Sequence, residues 1–189
     1  MDSQGKVSLP RTIIICANSS WNLFNYRSGL IRALIASGDS VVALAPRDTS
    51  TENVEALGCR FIELPMNPSG TGIFSNLRLL QRFLVILRRE RPDYFLGFTI
   101  KPNIFGSLAA RMLGIRYINN ITGLGQMFAG GRHLVSLTRL MYKLALAKAQ
   151  VVFFQNPDDR GLFENSGIVK GVQTGLLPGS GVDLDHFRR

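Results

Sequence analysis

The chain has 189 residues, 46% hydrophobic and 19% charged, which suits one well-filled globular domain and excludes a disordered chain. No apolar run approaches the ~20 residues that cross a bilayer, and residues 1–11 hold no apolar signal-peptide core, so the expectation is a cytoplasmic protein. The formal charge is +9, and its excess is local: residues 72–148 carry twelve Lys or Arg against Glu90 and Asp93, which predicts a one-sided basic surface.

Residues 1–11 read as a polar leader. Residues 12–17, with Ile13, Ile14 and Ile15 in succession, have the continuous apolar character of a strand buried on both faces. A polar loop, 18–25, leads into a helix with Leu30, Ile31, Leu34 and Ile35 on one stripe and Gly38 past its end. Residues 41–45 are the second strand. Thr49 and Glu52 form a capping box for a short helix ended by Gly58, and 61–64 is the third strand. The longest helix then runs to about Arg91, stopped by Pro92, with Leu77, Leu80, Leu84 and Leu87 sharing a face. Residues 94–98 form the fourth strand. A helix with Ile104, Leu108 and Met112 on one face follows, ending at Gly114. Residues 117–121 are the fifth strand, and 133–149 a helix with Leu137, Met141 and Leu144 inward. The strand 151–154 opens the last unit. Asn156 caps a helix that begins at Pro157, with Asp158 and Asp159 facing the positive end of its dipole and Gly167 closing it. Strand and helix alternate throughout, which predicts an α/β, Rossmann-like doubly wound parallel sheet of about six or seven strands.

Such sheets bind ligands at the carboxyl ends of their strands. Gln155, Asn156 and the turn Gly179, Ser180, Gly181 emerge there. Thr99, Lys101 and Asn103 place a lone cation beside a helix start, which suits an anion such as a diphosphate; an ordinary surface lysine is the alternative. Asn119 and Asn120 leave an apolar strand at the same edge, and Gly123 and Gly125 allow close approach to a ligand. The first loop contains no GxGxxG, which argues against a dinucleotide oxidoreductase. No metal-ligand cluster, acid pair or nucleophile–base set stands out, so neither metal nor cofactor is expected. Cys16 and Cys59 read as buried thiols. A pI near 10.3 invites nucleic-acid binding, but no module supports it and the aromatics lie in apolar runs. Basic amphipathic helices bind anionic bilayers. Arg78, Arg82 and Arg89, with Arg139 and Lys143 on the later helix, are the candidate membrane-facing residues; a solvated basic face is the alternative.

Residues 154–159 (FQNPDD), with 178–183 (PGSGVD) and Phe187, resemble the end of the N-terminal domain in family 4 glycosyltransferases, closest to the bacterial branch that builds lipid-linked oligosaccharides, capsule and O-antigen. The resemblance spans nearly the whole chain. It implies one half of a GT-B fold: an acceptor-side domain over residues 12–178 and, at 179–189, a hinge to a donor-binding domain absent from this chain. The implied activity is retaining hexosyl or N-acetylhexosaminyl transfer from a nucleotide-sugar, UDP-linked, to a polyprenyl-linked acceptor. The implied place is the inner face of the cell membrane. In the family the first loop faces the cleft, and Asn18, Ser19, Trp21 and Asn22 are the matching positions; packing of Trp21 on its own helix is the alternative. Many members carry a histidine near the fifth strand's end. Here that position is Thr122, which cannot act as a general base near neutral pH, and neither His133 nor His186 matches. The chain alone is expected to transfer no sugar, since catalysis needs both reactants held together. The competing reading is a non-catalytic subunit that recruits acceptor or membrane to a split enzyme.

Overall fold

A computed structural model describes residues 9–67, 72–123 and 132–180, with backbone alone at 132–134. The strands are β1 (Thr12–Cys16), β2 (Ser40–Ala45), β3 (Arg60–Glu63), β4 (Tyr94–Phe98), β5 (Arg116–Ile121), β6 (Val151–Phe154) and β7 (Thr174–Leu176). They form one sheet in the order β3-β2-β1-β4-β5-β6-β7, and every neighbouring pair is parallel. Strand order reverses direction between β1 and β4. A crevice opens at such a switch point, outside the strands' carboxyl ends.

Alternation along β1 explains why both faces are apolar. Ile14 and Cys16 enter one cluster, with Phe83, Phe95, Tyr117, Tyr142 and Phe154. Ile13 and Ile15 enter the other, with Leu23, Ile31, Val41 and Val54. The first cluster is roofed by helices α3 (Ile73–Glu90), α4 (Ser107–Met112), α5 (Arg132–Leu146) and α6 (Pro157–Asn165). The second lies under α1 (Ser20–Ala36) and the short α2 (Thr51–Glu55), which cover β1 to β3. Among the described residues no helix covers β4 to β7 on that side, and a groove of about 1010 Å³ runs there from Arg11 to Ser180 over Tyr94, Leu96, Ile118 and Phe153. Cys16 and Cys59 are free and buried, and burial pushes the Cys16 thiol well up.

Several local expectations fail for physical reasons. No capping box forms at Thr49 and Glu52. The helix starts at Thr51, and Asp48 organises the turn instead, accepting from the Ser50 amide at 2.8 Å while its own amide donates to Thr51 Oγ1 at 3.0 Å. On α3 the inward stripe is Leu79, Phe83 and Leu87, with Leu80 and Leu84 at its margin, and Leu77 is 57% exposed. On α1 Arg27 occupies the inward stripe between Leu23 and Ile31, and Leu30 faces outward. A wide π-helical turn, Pro102–Gly106, precedes α4 and shifts its phase, so Ile104 is buried while Met112 is 66% exposed. On α5 Thr138, Tyr142 and Ala145 face inward, and Leu137 and Leu144 are outside at 53% and 48% exposure. On these helices an apolar stripe broader than the buried face leaves the phase open.

Candidate functional site

The strands of a parallel sheet deliver their following loops to one edge, and the predicted residues converge there. After β1, Ser19 caps α1, its Oγ accepting from the Asn22 amide at 3.0 Å. The Ser20 hydroxyl donates to the Pro46 carbonyl at 2.8 Å, tying this loop to the one after β2. Trp21 stands 50% exposed, edge-on to Tyr26 at 5.5 Å, so it leans on its own helix without being buried.

After β4 comes Thr99 with φ +67, a left-handed conformation that is a genuine outlier for a β-branched residue. Strain of this kind, on the order of 1–3 kcal/mol, persists where surrounding structure enforces it. Asn103 anchors the turn that follows, its amide donating to the Thr99 carbonyl at 3.0 Å. Its Nδ2 donates to the Asn120 carbonyl at 2.9 Å, and its Oδ1 accepts from Asn119 Nδ2 at 2.8 Å. Gly97 makes this bridge possible, because a Cβ there would lie 2.8 Å from Asn103 Oδ1. Asn119 also donates to Ser107 Oγ at 2.7 Å. Of the adjacent amides, Asn119 therefore braces the π-helical turn from beneath, while Asn120 lies on the groove side of β5 by strand alternation. Lys101 is only 7% exposed, not a surface lysine; burial lowers its pKa, and its Nζ donates to Asn76 Oδ1 at 3.2 Å.

After β6 the expected cap is present: Asn156 Oδ1 accepts from the Asp159 amide at 2.7 Å, with Pro157 in the first turn. Gln155 Nε2 donates to Ser180 Oγ, which joins the end of β6 to the turn after β7. Gly179 has φ +73, as that turn requires. Thr122 and Gly123 are half-buried at the end of β5. Gly125, Gly181, His186 and the side chain of His133 lie outside the described residues.

The sequence reading missed Arg27. It is 6% exposed, its guanidinium carbon lies 4.2 Å over the Phe98 ring, and its Nη2 donates to Ser180 Oγ at 3.1 Å. Burial lowers its pKa to about 10. Its neighbours at the helix stripe are apolar, and only its position at the eighth residue of α1, in phase with Leu23 and Ile31, could have flagged it. Among the described residues, the buried side-chain atoms without a hydrogen-bond partner are Asn18 Oδ1, Asn22 Oδ1, Arg27 Nε, Thr99 Oγ1, Asn119 Oδ1 and Asn120 Oδ1. All lie in the loop and first turns after β1, or at the ends of β4 and β5. Natural interiors satisfy nearly all such atoms, so their concentration at one edge makes that edge the candidate site.

The basic candidates separate into two groups. Arg78 and Arg82 stand on the first three turns of α3, toward the carboxyl edge of the sheet, and Arg82 Nη1 donates to the Pro65 carbonyl at 2.8 Å. Arg89 is at the far end of α3, paired with Glu90 at 2.9 Å. Arg139 and Lys143 are exposed on α5 beside Leu140 and Leu144. Among the described residues no group of His, Cys, Asp and Glu could hold a metal, and no helix is long and apolar enough to cross a membrane.

A seven-stranded parallel sheet wound on both faces, with its polar residues gathered at the carboxyl edge, is a Rossmann-like domain of the kind found in GT-B proteins. The chain belongs to the glycosyl transferase 4-like domain family, whose model matches residues 25–178. It is 25% identical over 171 residues to the Campylobacter jejuni N,N'-diacetylbacillosaminyl-diphospho-undecaprenol alpha-1,3-N-acetylgalactosaminyltransferase, covering 88% of this chain and 45% of that protein. Its fold is similar to a glycosyltransferase of Rickettsia africae (TM-score 0.66, 15% identity, 95% of this chain and 45% of that one). It is also similar to an Anabaena protein solved in complex with UDP and glucose (TM-score 0.64, 14% identity, 95% and 47%). The chain thus spans less than half the length of these relatives.

Proposed function

We propose that this domain is the acceptor-side half of a glycosyltransferase that moves a sugar from a nucleotide-sugar, UDP-linked, to a polyprenyl-diphosphate-linked acceptor on the inner, anionic face of the cell membrane. The concentration of unpartnered buried polar atoms at the carboxyl edge carries this reading. Hydroxyl-rich sugars and diphosphates are the ligands that such amides, hydroxyls and a buried guanidinium recognise. In this reading each residue has a part. Asn18, Asn22 and Asn120 orient hydroxyls, Thr99 and Thr122 hydrogen-bond the acceptor, and Arg27 answers a negative charge. None of these has the pKa of a general base near neutrality, so this half positions the acceptor and excludes water. The donor and the groups that stabilise its departing diphosphate belong to a second domain, which supplies the other wall of the cleft.

Calorimetry and a transfer assay on the 189-residue chain test the proposal. The expected outcome is retention of a polyprenyl-diphosphate-linked saccharide, no tight binding of UDP-sugars, and no sugar transfer until a donor-binding domain is added. Micromolar UDP-sugar binding or unaided transfer would overturn it. A non-catalytic recruiting subunit would retain acceptor in the same way, and would differ by co-purifying with a separate catalytic chain that is active without it.

A further inference from the structure

Arg27 is a buried cation that meets no carboxylate among the described residues. Its guanidinium lies over Phe98 and its Nη2 donates to Ser180 Oγ at 3.1 Å. Nε, the other donor of the same fork, has no partner among the described residues. With its pKa lowered to about 10, the group stays protonated at neutral pH. Arg27 and Ser180 line the carboxyl end of the groove over β4 to β7, and no Asp or Glu is among the described residues that line it. The other cation of the groove, Arg11, is at the far end and is paired with Asp39 at 2.8 Å. A buried charge without a counter-charge is costly, so a guanidinium held this way fits a site whose anion comes from outside the domain.

The surroundings of the fork narrow the anion. One cation balances one negative charge, which suits a carboxylate; a diphosphate carries more and calls for several donors of charge. Ser180 Oγ stands where one carboxylate oxygen would accept from Nη2, and on leaving that place it keeps Gln155 Nε2 as a second partner. Phe98, beneath the guanidinium, is the partner of Asn120 across the parallel pair β4 and β5, so Asn120 is one strand spacing away, about 5 Å. Asn120 is 4% exposed, and its Oδ1 accepts no hydrogen bond among the described residues. A ligand with a hydroxyl answers it, and an ionised fatty acid has none. There is room for a ring beside the fork. On the helix side α1 presents Ser28 and Gly29, and a Cβ at Gly29 would meet no atom within 4 Å. The floor, Leu96, Ile118 and Phe153, is half-buried and apolar, which suits the C–H face of a sugar.

We propose that the carboxyl end of the groove is a subsite for an acidic sugar. The carboxylate of a hexuronic acid takes both donors of the Arg27 fork, displacing Ser180, and a ring hydroxyl meets Asn120. Arg27 is then a specificity-determining residue that selects a uronic acid in the acceptor saccharide, and to that extent the subsite rests on the proposed function.

NMR titration of the 189-residue chain with methyl glycosides of glucuronic and galacturonic acid, each beside its neutral hexoside, tests the subsite. At least one uronide is expected to bind about tenfold or more tighter than its neutral counterpart, the worth of a charge-assisted hydrogen bond. Arg27→Met should abolish that preference and leave the neutral glycoside little changed. Arg27→Lys, which keeps the charge without the fork, should retain part of it. Asn120→Ala should weaken uronide and hexoside alike. Ser180→Ala removes the competing acceptor and should tighten the uronide alone by roughly fivefold, about the worth of one neutral hydrogen bond; a weaker uronide there would refute the displacement. Melting curves check that each variant is folded. Uronides no tighter than their hexosides, or a preference that survives Arg27→Met, would overturn the subsite. So would inorganic diphosphate that binds through Arg27 more tightly than either uronide, since the fork would then serve phosphate. Retention of a neutral polyprenyl-diphosphate-linked saccharide with equal affinity by the parent and Arg27→Met would retire the subsite and leave the acceptor-side reading standing. Uronide selection without retention of any polyprenyl-linked saccharide would do the reverse.

Discussion

The two faces of the sheet are built from the same strands and finished differently. On one, α3 to α6 close over Phe83, Phe95, Tyr117, Tyr142 and Phe154, and aromatic edges meet faces, as for Phe83 and Phe95 at 5.9 Å and Tyr142 and Phe163 at 5.1 Å. Gly106 is required there, since a Cβ would lie 2.2 Å from the Phe95 ring. On the other, α1 and α2 cover three strands, and Tyr94, Leu96 and Phe153 are left half-buried along the groove. The closed face carries most of the core; apart from Asn119 Oδ1, the unsatisfied polar atoms among the described residues lie on the open half-face and the adjoining edge. Folding and binding are thus drawn from different sides of one sheet.

The largest test of that division is a pair of identical truncations. Phe83→Ala, at a fully buried ring, should cost about 3–5 kcal/mol in urea denaturation. Phe153→Ala on the open half-face should cost no more than about 2 kcal/mol. Equal losses would show that both faces are closed in solution. Asn119→Ala comes next. It leaves Asn103 Oδ1 and Ser107 Oγ without their donor, and should cost about 1–3 kcal/mol.

A smaller effect is confined by pH. Arg11 holds the Asp39 carboxyl below its ordinary value through hydrogen bonds at 2.8 and 2.9 Å. A depressed carboxyl stabilises the fold above its unfolded pKa, and that contribution is lost as pH falls through the folded value. Asp39→Asn should therefore lower Tm at pH 7, and the two melting curves should converge well below pH 4. Opposite dependence would mean that the pair is not formed.

The smallest expected change is at Arg27. A buried arginine in a structural ion pair would lose 3–5 kcal/mol on truncation. Among the described residues Arg27 contacts no carboxylate, so Arg27→Met, which keeps the stem's packing, should shift stability by no more than about 1 kcal/mol. With a folded pKa of about 10, below the ordinary guanidinium value, the unfolded chain binds more protons above pH 10. Parent stability relative to the variant should rise across that window. A large loss at pH 7 would assign Arg27 to the fold and remove it from the site.

Much of this was legible in the residues alone. The uninterrupted Ile13, Ile14, Ile15, the Asn156–Pro157 helix start and the turn glycines at 38, 58, 114 and 167 report local geometry, because sterics and short-range hydrogen bonds decide it. The parallel order and the carboxyl edge followed from handedness. Tertiary contacts alone settled which side of each apolar helix faces inward, as at Leu77, Leu137 and Met112. Only they reveal that Asn103 and Gly97 form one bracket with Asn119, and that Arg27, seven residues into a helix, touches Ser180 across 153 positions. Helix phase and long-range pairing depend on where a second surface lies, and that information is carried by residues distant in the chain.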